Sequence, residues 1–256
     1  MRLRFHGLIL ALSLMTSLPV SVKKSYGDFD DRDCAMSPLW YPVVGFILAI
    51  LLLAFYWLLL QFRLSPGIYA AFVLSAWVVV TGALHLDGLA DCSDAWFAAH
   101  KSPGRALQVM RDPHIGAMAA VSVTLVLLLK FALLQQLATV PIHFAKAIVT
   151  SLVLPRLSAL FYMLTTPYAR QSGIAEKLKP SQCMTEILVL SASVSAMTFL
   201  LWPGYSSVFV IACLCLFLWW WRRHWFEYIG GYTGDCLGAS IEIAETLILA
   251  AAVIFL

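Results

Sequence analysis

The chain has 256 residues, of which 61% are hydrophobic and 12% charged, with a formal net charge of +3. Soluble domains carry roughly 45–50% apolar and 25% charged residues, so too few charges remain here to cover a water-facing surface. An ordinary cytosolic enzyme, a disordered chain and a basic nucleic-acid-binding domain are excluded, and an all-α, polytopic integral membrane bundle fits.

In chain order, residues 5–20 come first, an apolar stretch behind Arg2 and Arg4. It looks like a signal peptide but is short for a span and is closed by Pro19, so it reads as a retained interfacial or re-entrant segment. Seven stretches then approach the roughly 20 apolar residues a crossing needs: 40–62, 66–84, 114–137, 142–163, 185–202, 204–221 and 237–256. Pro66, Pro141 and Pro203-Gly204 mark the tight turns between neighbours. The stretches 21–39, 85–113, 164–184 and 222–236 hold Lys23, Lys24, Arg32, Lys101, Arg105, Arg111, Arg170, Lys177, Lys179, Arg222 and Arg223, whereas the other loops carry only Arg63. The positive-inside rule therefore puts the four long loops in the cytoplasm, as in a protein of the cytoplasmic (inner) membrane, with the C-terminus outside. All 14 acids lie in or near those same stretches, which points to polar chemistry at one membrane face. Lys130, Lys146 and Arg156 interrupt apolar runs and are costly unless they face protein, water or an anion. The six cysteines form no CxxC pair and read as free thiols. With no internal repeat, 1–256 reads as one membrane domain whose site is built from 85–113 and 222–236.

Thr81 to Ala95 reads TGALHLDGLADCSDA, with Asp87, Asp91 and Asp94 at i, i+4 and i+7. On a helix these fall within an arc of about 60°. Three carboxylates so close are tolerable if a divalent cation lies between them, and hard oxygen donors suit Mg²⁺, with Mn²⁺ as a substitute; the plainer alternative is a solvated acidic face. His85 is a base, a ligand or a structural group, and Gly88 permits close approach by a ligand or backbone. Arg105 and Arg111, before Asp112, suit phosphate oxygens. The second string is Gly230-Gly231-Tyr232-Thr233-Gly234-Asp235-Cys236-Leu237-Gly238, a glycine-rich turn running into a helix start. Glu242 and Glu245 follow on one face, deep enough in the last span to point to function.

Together with LMTSLPV (14–20), YPVVG (41–45), RALQVMRDPHIGA (105–117), LLLK (127–130), PR (155–156) and PYAR (167–170), these strings resemble the adenosylcobinamide-GDP ribazoletransferases (cobalamin 5′-phosphate synthases), in family order over nearly the whole chain. The resemblance implies an integral membrane enzyme that joins adenosylcobinamide-GDP to α-ribazole, or its 5′-phosphate, with release of GMP. On that basis Asp87, Asp91 and Asp94 hold one or two Mg²⁺ on the diphosphate, and one of them, or His85, accepts the ribose hydroxyl proton. Arg105, Arg111 and Lys130 pair with diphosphate oxygens, with Asp112, Arg156 and Arg170 also on the substrate. Asp235, Glu242 and Glu245 complete a second metal shell or hold the nucleotide. The rivals are an enzyme like the CDP-alcohol phosphotransferases, which spaces its Asp-Gly pair differently, and an ion-coupled transporter, which needs carboxylates near the midplane.

Overall fold

The computed structural model of the chain describes residues 5–19, 31–101, 105–112, 114–170, 177–178 and 184–256. Lys23, Lys24, Pro113, Lys179 and Cys183 lie outside the described residues. The helices are α1 (Phe5–Met15), α2 (Asp31–Met36), α3 (Tyr41–Leu60), α4 (Pro66–Thr81), α5 (Leu84–Lys101), α6 (Ala106–Val109), α7 (Ala117–Leu137), α8 (Pro141–Thr165), α9 (Met184–Leu201), α10 (Tyr205–Ile229) and α11 (Gly234–Ile254), with a 3₁₀ turn at Ser37–Trp40 joining α2 to α3. Pro66 and Pro141 open α4 and α8, where a missing N–H costs nothing. Gly82 (φ 63°) and Gly230 (φ 72°) close α4 and α10 in the left-handed conformation.

Six helical stretches are long and apolar enough to cross a membrane: Asp33–Leu60, α7, α8, α9, α10 and α11. Pro66–Thr81 and Leu84–Ala99 meet the same measure only as a pair, bent by 86°. The span expected at 66–84 therefore stops at Thr81, and α5 turns away from α4 carrying the aspartates. With α4 counted as a pass, seven segments of the described residues are able to cross a membrane, in line with the seven the hydropathy pattern predicts. The helix expected to end at 221 continues to Ile229, so 222–236 is a loop only over its second half. Trp221 and Trp225 explain the extension, because both are buried on the continuing helix face. At 11 residues, α1 is about 16 Å long, roughly half the hydrocarbon depth. It packs inward through Leu10 and Ala11, and Ser17 just beyond it donates its N–H to Val80 O at 2.9 Å. Residues 5–19 thus form a short packed segment at the end of α4 and not a crossing.

The core lies along α8 and α11: α8 is buried from Thr150 through Leu160 without a break, and α11 buries most of its length. Gly45 on α3 permits the closest helix contact, since a Cβ there would stand 2.2 Å from Leu152 O. This inner pair fixes α5 and α7 around one end of the bundle, where the aspartates gather.

Candidate active site at the carboxylate edge of the bundle

α5 crosses α11 at small residues. A Cβ on Gly88 would come 2.6 Å from Asp235 O, and one on Gly238 would come 3.3 Å from His85 Cα. Cys92 Sγ and Cys236 Sγ meet at 3.9 Å, and the Trp221 indole N–H donates to Cys236 O at 3.1 Å. Packed this closely, α5 brings Asp87 (exposed) and Asp91 and Asp94 (half-buried) beside Asp235 in the first turn of α11.

The PYAR and GGYTGD strings pair with each other. Ala169 N donates to Tyr232 O at 2.9 Å and Tyr232 N to Pro167 O at 3.0 Å, forming an isolated parallel bridge between Tyr168 and Tyr232. Gly231 is required for this, because a Cβ would fall 2.2 Å from Pro167 O. Thr233 then caps α11, its hydroxyl accepting from Cys236 N at 3.2 Å. The pairing delivers the Arg170 guanidinium to Asp235 Oδ2 at 2.6 Å. Nothing in the sequence shows Pro167, Tyr168 and Tyr232 to be partners, although the glycine pair does mark a tight approach.

Asp94 accepts from Gly116 N at 2.6 Å through one oxygen and from Ala119 N at 3.0 Å through the other. It therefore caps α7 from another helix, which its i+7 spacing from Asp87 could not reveal. Asp91 lies on α5, outside the six crossing helices. Partial burial, followed by the charges of Asp235 and Asp87, pushes its carboxyl up to about 6. Among the described residues no three His, Cys, Asp or Glu side chains stand close enough together to hold a metal ion between them. The donor chemistry still fits a hard cation: Asp87, Asp91 and Asp235 are neighbouring like charges on exposed or half-buried side chains, and Mg²⁺ typically takes one or two carboxylates and completes its shell with water and phosphate.

The remaining expected residues divide by depth. Arg105 and Arg111 are exposed. Asp112 is also exposed and accepts from His114 through ring Nδ1 at 2.6 Å and through the backbone N at 3.1 Å; those bonds hold its carboxyl below the usual range. Lys130, Arg156, Glu242 and Glu245 sit elsewhere. Lys130 Nζ lies 2.5 Å from both Glu242 Oε1 and Glu245 Oε2, and Arg156 Nη1 donates to Glu245 Oε1. Lys130 is 1% exposed, and Arg156 and Glu245 are 0%. Glu245 stands eleven residues into α11, about 16 Å at helical rise and so near the middle of a roughly 30 Å core. One expectation is corrected here: the carboxylates do not all sit at one edge. In the structure these two glutamates pair with cations of the bundle, and Lys130 and Arg156 with these carboxylates. His85 is turned inward as well: it is 4% exposed, lies in the field of Arg156 and Glu245, and among the described residues neither ring nitrogen has a hydrogen-bond partner.

The sequence profile of the cobalamin-5-phosphate synthase family matches residues 7–253. The chain is 37% identical over 243 residues to an adenosylcobinamide-GDP ribazoletransferase of Pseudomonas savastanoi pv. phaseolicola, and 39% identical over 249 residues to one of Ectopseudomonas mendocina, in each case covering 94% of this chain and 96% of the relative. A third, from Pseudomonas fluorescens, is 35% identical over 251 residues, with 96% and 98% covered. No solved structure matches. A profile match over nearly the whole length, joined to relatives above 30% identity, makes this chain a member of the cobalamin-5-phosphate synthase family.

Proposed function

We propose that the chain joins adenosylcobinamide-GDP to α-ribazole, or to α-ribazole 5′-phosphate, giving adenosylcobalamin or its 5′-phosphate and GMP. The observation that carries this is the match to enzymes of that name along nearly the full chain, together with a carboxylate and arginine cluster at one open edge. The site is proposed to face the cytoplasm from the inner membrane, as the cationic loops on that side support.

The reaction is phosphoryl transfer: a ribose hydroxyl attacks the phosphorus nearer the corrinoid, its proton leaves, and the bond to GMP breaks. Such chemistry depends mostly on positioning and charge stabilisation. Asp91 is suited to accept the hydroxyl proton, because a carboxyl held near 6 is a better base at neutral pH than an ordinary aspartate. Asp87 and Asp235 would hold Mg²⁺, with Mn²⁺ as a substitute; when bound, the ion supplies charge stabilisation on the diphosphate. Arg170 is fixed by Asp235 at the rim, and Arg105 and Arg111 are exposed nearby along the chain, free to meet phosphate oxygens. Asp94 acts through α7, holding its start against α5. The transporter alternative loses support because the mid-depth carboxylates are already neutralised by Lys130 and Arg156.

The test is release of GMP by purified protein given both substrates, with Mg²⁺ and then with excess EDTA. Turnover that stops with EDTA and returns with Mg²⁺ is expected. Failure of folded protein to form GMP or a joined corrinoid in Mg²⁺ would refute the proposal.

A further inference from the structure

A groove of about 460 Å³ opens between α8, α9 and α10. α8 and α10 run parallel here, both ending at the carboxylate edge, and their residues line the groove in matched steps. Leu154 and Ile211 lie at its inner end, followed by Leu157 with Leu214 and Phe161 with Leu218; Thr165 and Arg222 form the rim. Eleven residues separate inner end from rim on each helix, about 16 Å at helical rise. That is the depth of one leaflet, half of a roughly 30 Å hydrocarbon core. The hydroxyls of Ser158 and Ser191 in its walls donate back to Pro155 O at 2.8 Å and Ile187 O at 2.6 Å, so those two offer no donor to a polar ligand, and apart from Ser195 and Cys215 the rest of the wall is hydrocarbon or aromatic.

The rim has the opposite character. Arg222 Nε donates to Thr165 O at 2.9 Å, which fixes the guanidinium across the mouth. Its two terminal amino groups make no protein hydrogen bond among the described residues. The next residue, Arg223, is engaged by Glu227 at 2.9 Å, so among the described residues Arg222 is the uncompensated cation of the pair. Trp219 beside it is 58% exposed, as expected of an indole at the level of lipid headgroups. An apolar slot one leaflet deep, ending in a fixed unpaired guanidinium at headgroup level, matches a molecule with a hydrocarbon tail and an anionic phosphate end.

We propose that this groove binds one anionic phospholipid of the surrounding bilayer, with an acyl chain between α8 and α10 and its phosphate on Arg222. The ligand belongs to the leaflet on the carboxylate side and does not enter the site between α5 and α11.

Full-length protein, delipidated by detergent exchange, is titrated with palmitoyl-oleoyl phosphatidylglycerol or with phosphatidylcholine of the same chains, and adducts are counted by native mass spectrometry. One phosphatidylglycerol is expected to bind about tenfold more tightly than the first phosphatidylcholine. Arg222→Gln should erase that preference, and Arg223→Gln should keep it. Ser191→Trp, which fills the groove from α9 and leaves the rim intact, should lower retention of both lipids. Equal wild-type affinity for the two lipids would overturn the proposal. So would a preference that survives Arg222→Gln, undiminished retention in Ser191→Trp, or displacement of the lipid by millimolar glycerol phosphate, which would make the site a headgroup pocket without a chain.

Discussion

Gly88→Ala tests whether the α5–α11 crossing builds the site. The added Cβ would lie 2.6 Å from Asp235 O and 3.1 Å from Asp235 Cα, and both are backbone atoms that cannot rotate away. To reach the ordinary contact range beginning at 3.4 Å, the helices must part by ~0.8 Å. Alanine gains about 1 kcal/mol over glycine in a helix interior, while overpacking a close contact costs about 1–3 kcal/mol. Because the obstruction is main chain, the second effect should win, by up to about 2 kcal/mol. The same shift carries Asp235 away from Asp87 and Asp91, and displacements near 1 Å in a site can cost about 100-fold in rate. Gly234→Ala is the control: it lies on α11 next to Asp235, and its Cβ would meet nothing within 4 Å. Thermal inactivation of the detergent-solubilised protein and GMP release in Mg²⁺ measure the two effects. Wild-type stability and turnover in Gly88→Ala, or equal losses in both variants, would refute the crossing as the element that positions the carboxylates.

Asp91→Asn should raise stability while stopping turnover. Burial and neighbouring carboxylates raise the folded-state carboxyl from 3.8 to about 6, so its charge opposes folding. That penalty is absent below about pH 4, grows through the interval and is complete above about pH 6. After discounting for the solvent that screens a half-buried group, the variant should gain about 1 kcal/mol at pH 7 and nothing at pH 4. Melting curves at the two pH values check this, and a gain independent of pH would contradict it. Glu245→Gln leaves Arg156 and Lys130 in the interior with one carboxylate fewer, and breaking a buried pair costs about 3–5 kcal/mol. Glu227→Gln removes an exposed i,i+4 pair instead and should cost less than about 1 kcal/mol. The monodisperse fraction surviving a heat step should fall sharply for the first variant and little for the second.

The helical spans were legible because lipid forces each crossing to be long and apolar, and proline and glycine mark the turns. The boundary at Gly82 was harder, since TGALHL carries hydrophobic residues straight through the bend, and it is interrupted only by the left-handed φ of Gly82 (63°) and of Ala83 (55°) beside it. The extension of α10 was missed for a related reason: Arg222, Arg223 and His224 look like a loop by polarity, yet Trp221 and Trp225 keep a buried face going at helical spacing. Within the site, the aspartates showed themselves as a set through their period on a single helix. The contacts that locate them did not, because Gly88 against Asp235, Tyr232 against Pro167 and Asp94 against Gly116 all join segments far apart in the chain, and no local pattern encodes such partners.

Depth separates the two kinds of charge that composition alone treats alike. At the open edge Asp87, Asp91 and Asp235 outnumber Arg170, and the excess negative charge raises the Asp91 carboxyl; such an imbalance is sustainable where water or a cation can answer it. Near mid-depth the opposite holds, with Lys130 and Arg156 matched by Glu242 and Glu245, because an unmatched ion in the interior costs several kcal/mol. The four inner residues come from α7, α8 and α11, so their pairing ties together the helices on which the edge depends. Asp235 and Glu245 share α11, and a shift of that helix to improve the inner pairs would drag the outer cluster with it. The position of the edge carboxylates is therefore set in part by a charge network about 16 Å deeper, which is why sequence spacing at the edge could identify the aspartates without fixing their distances.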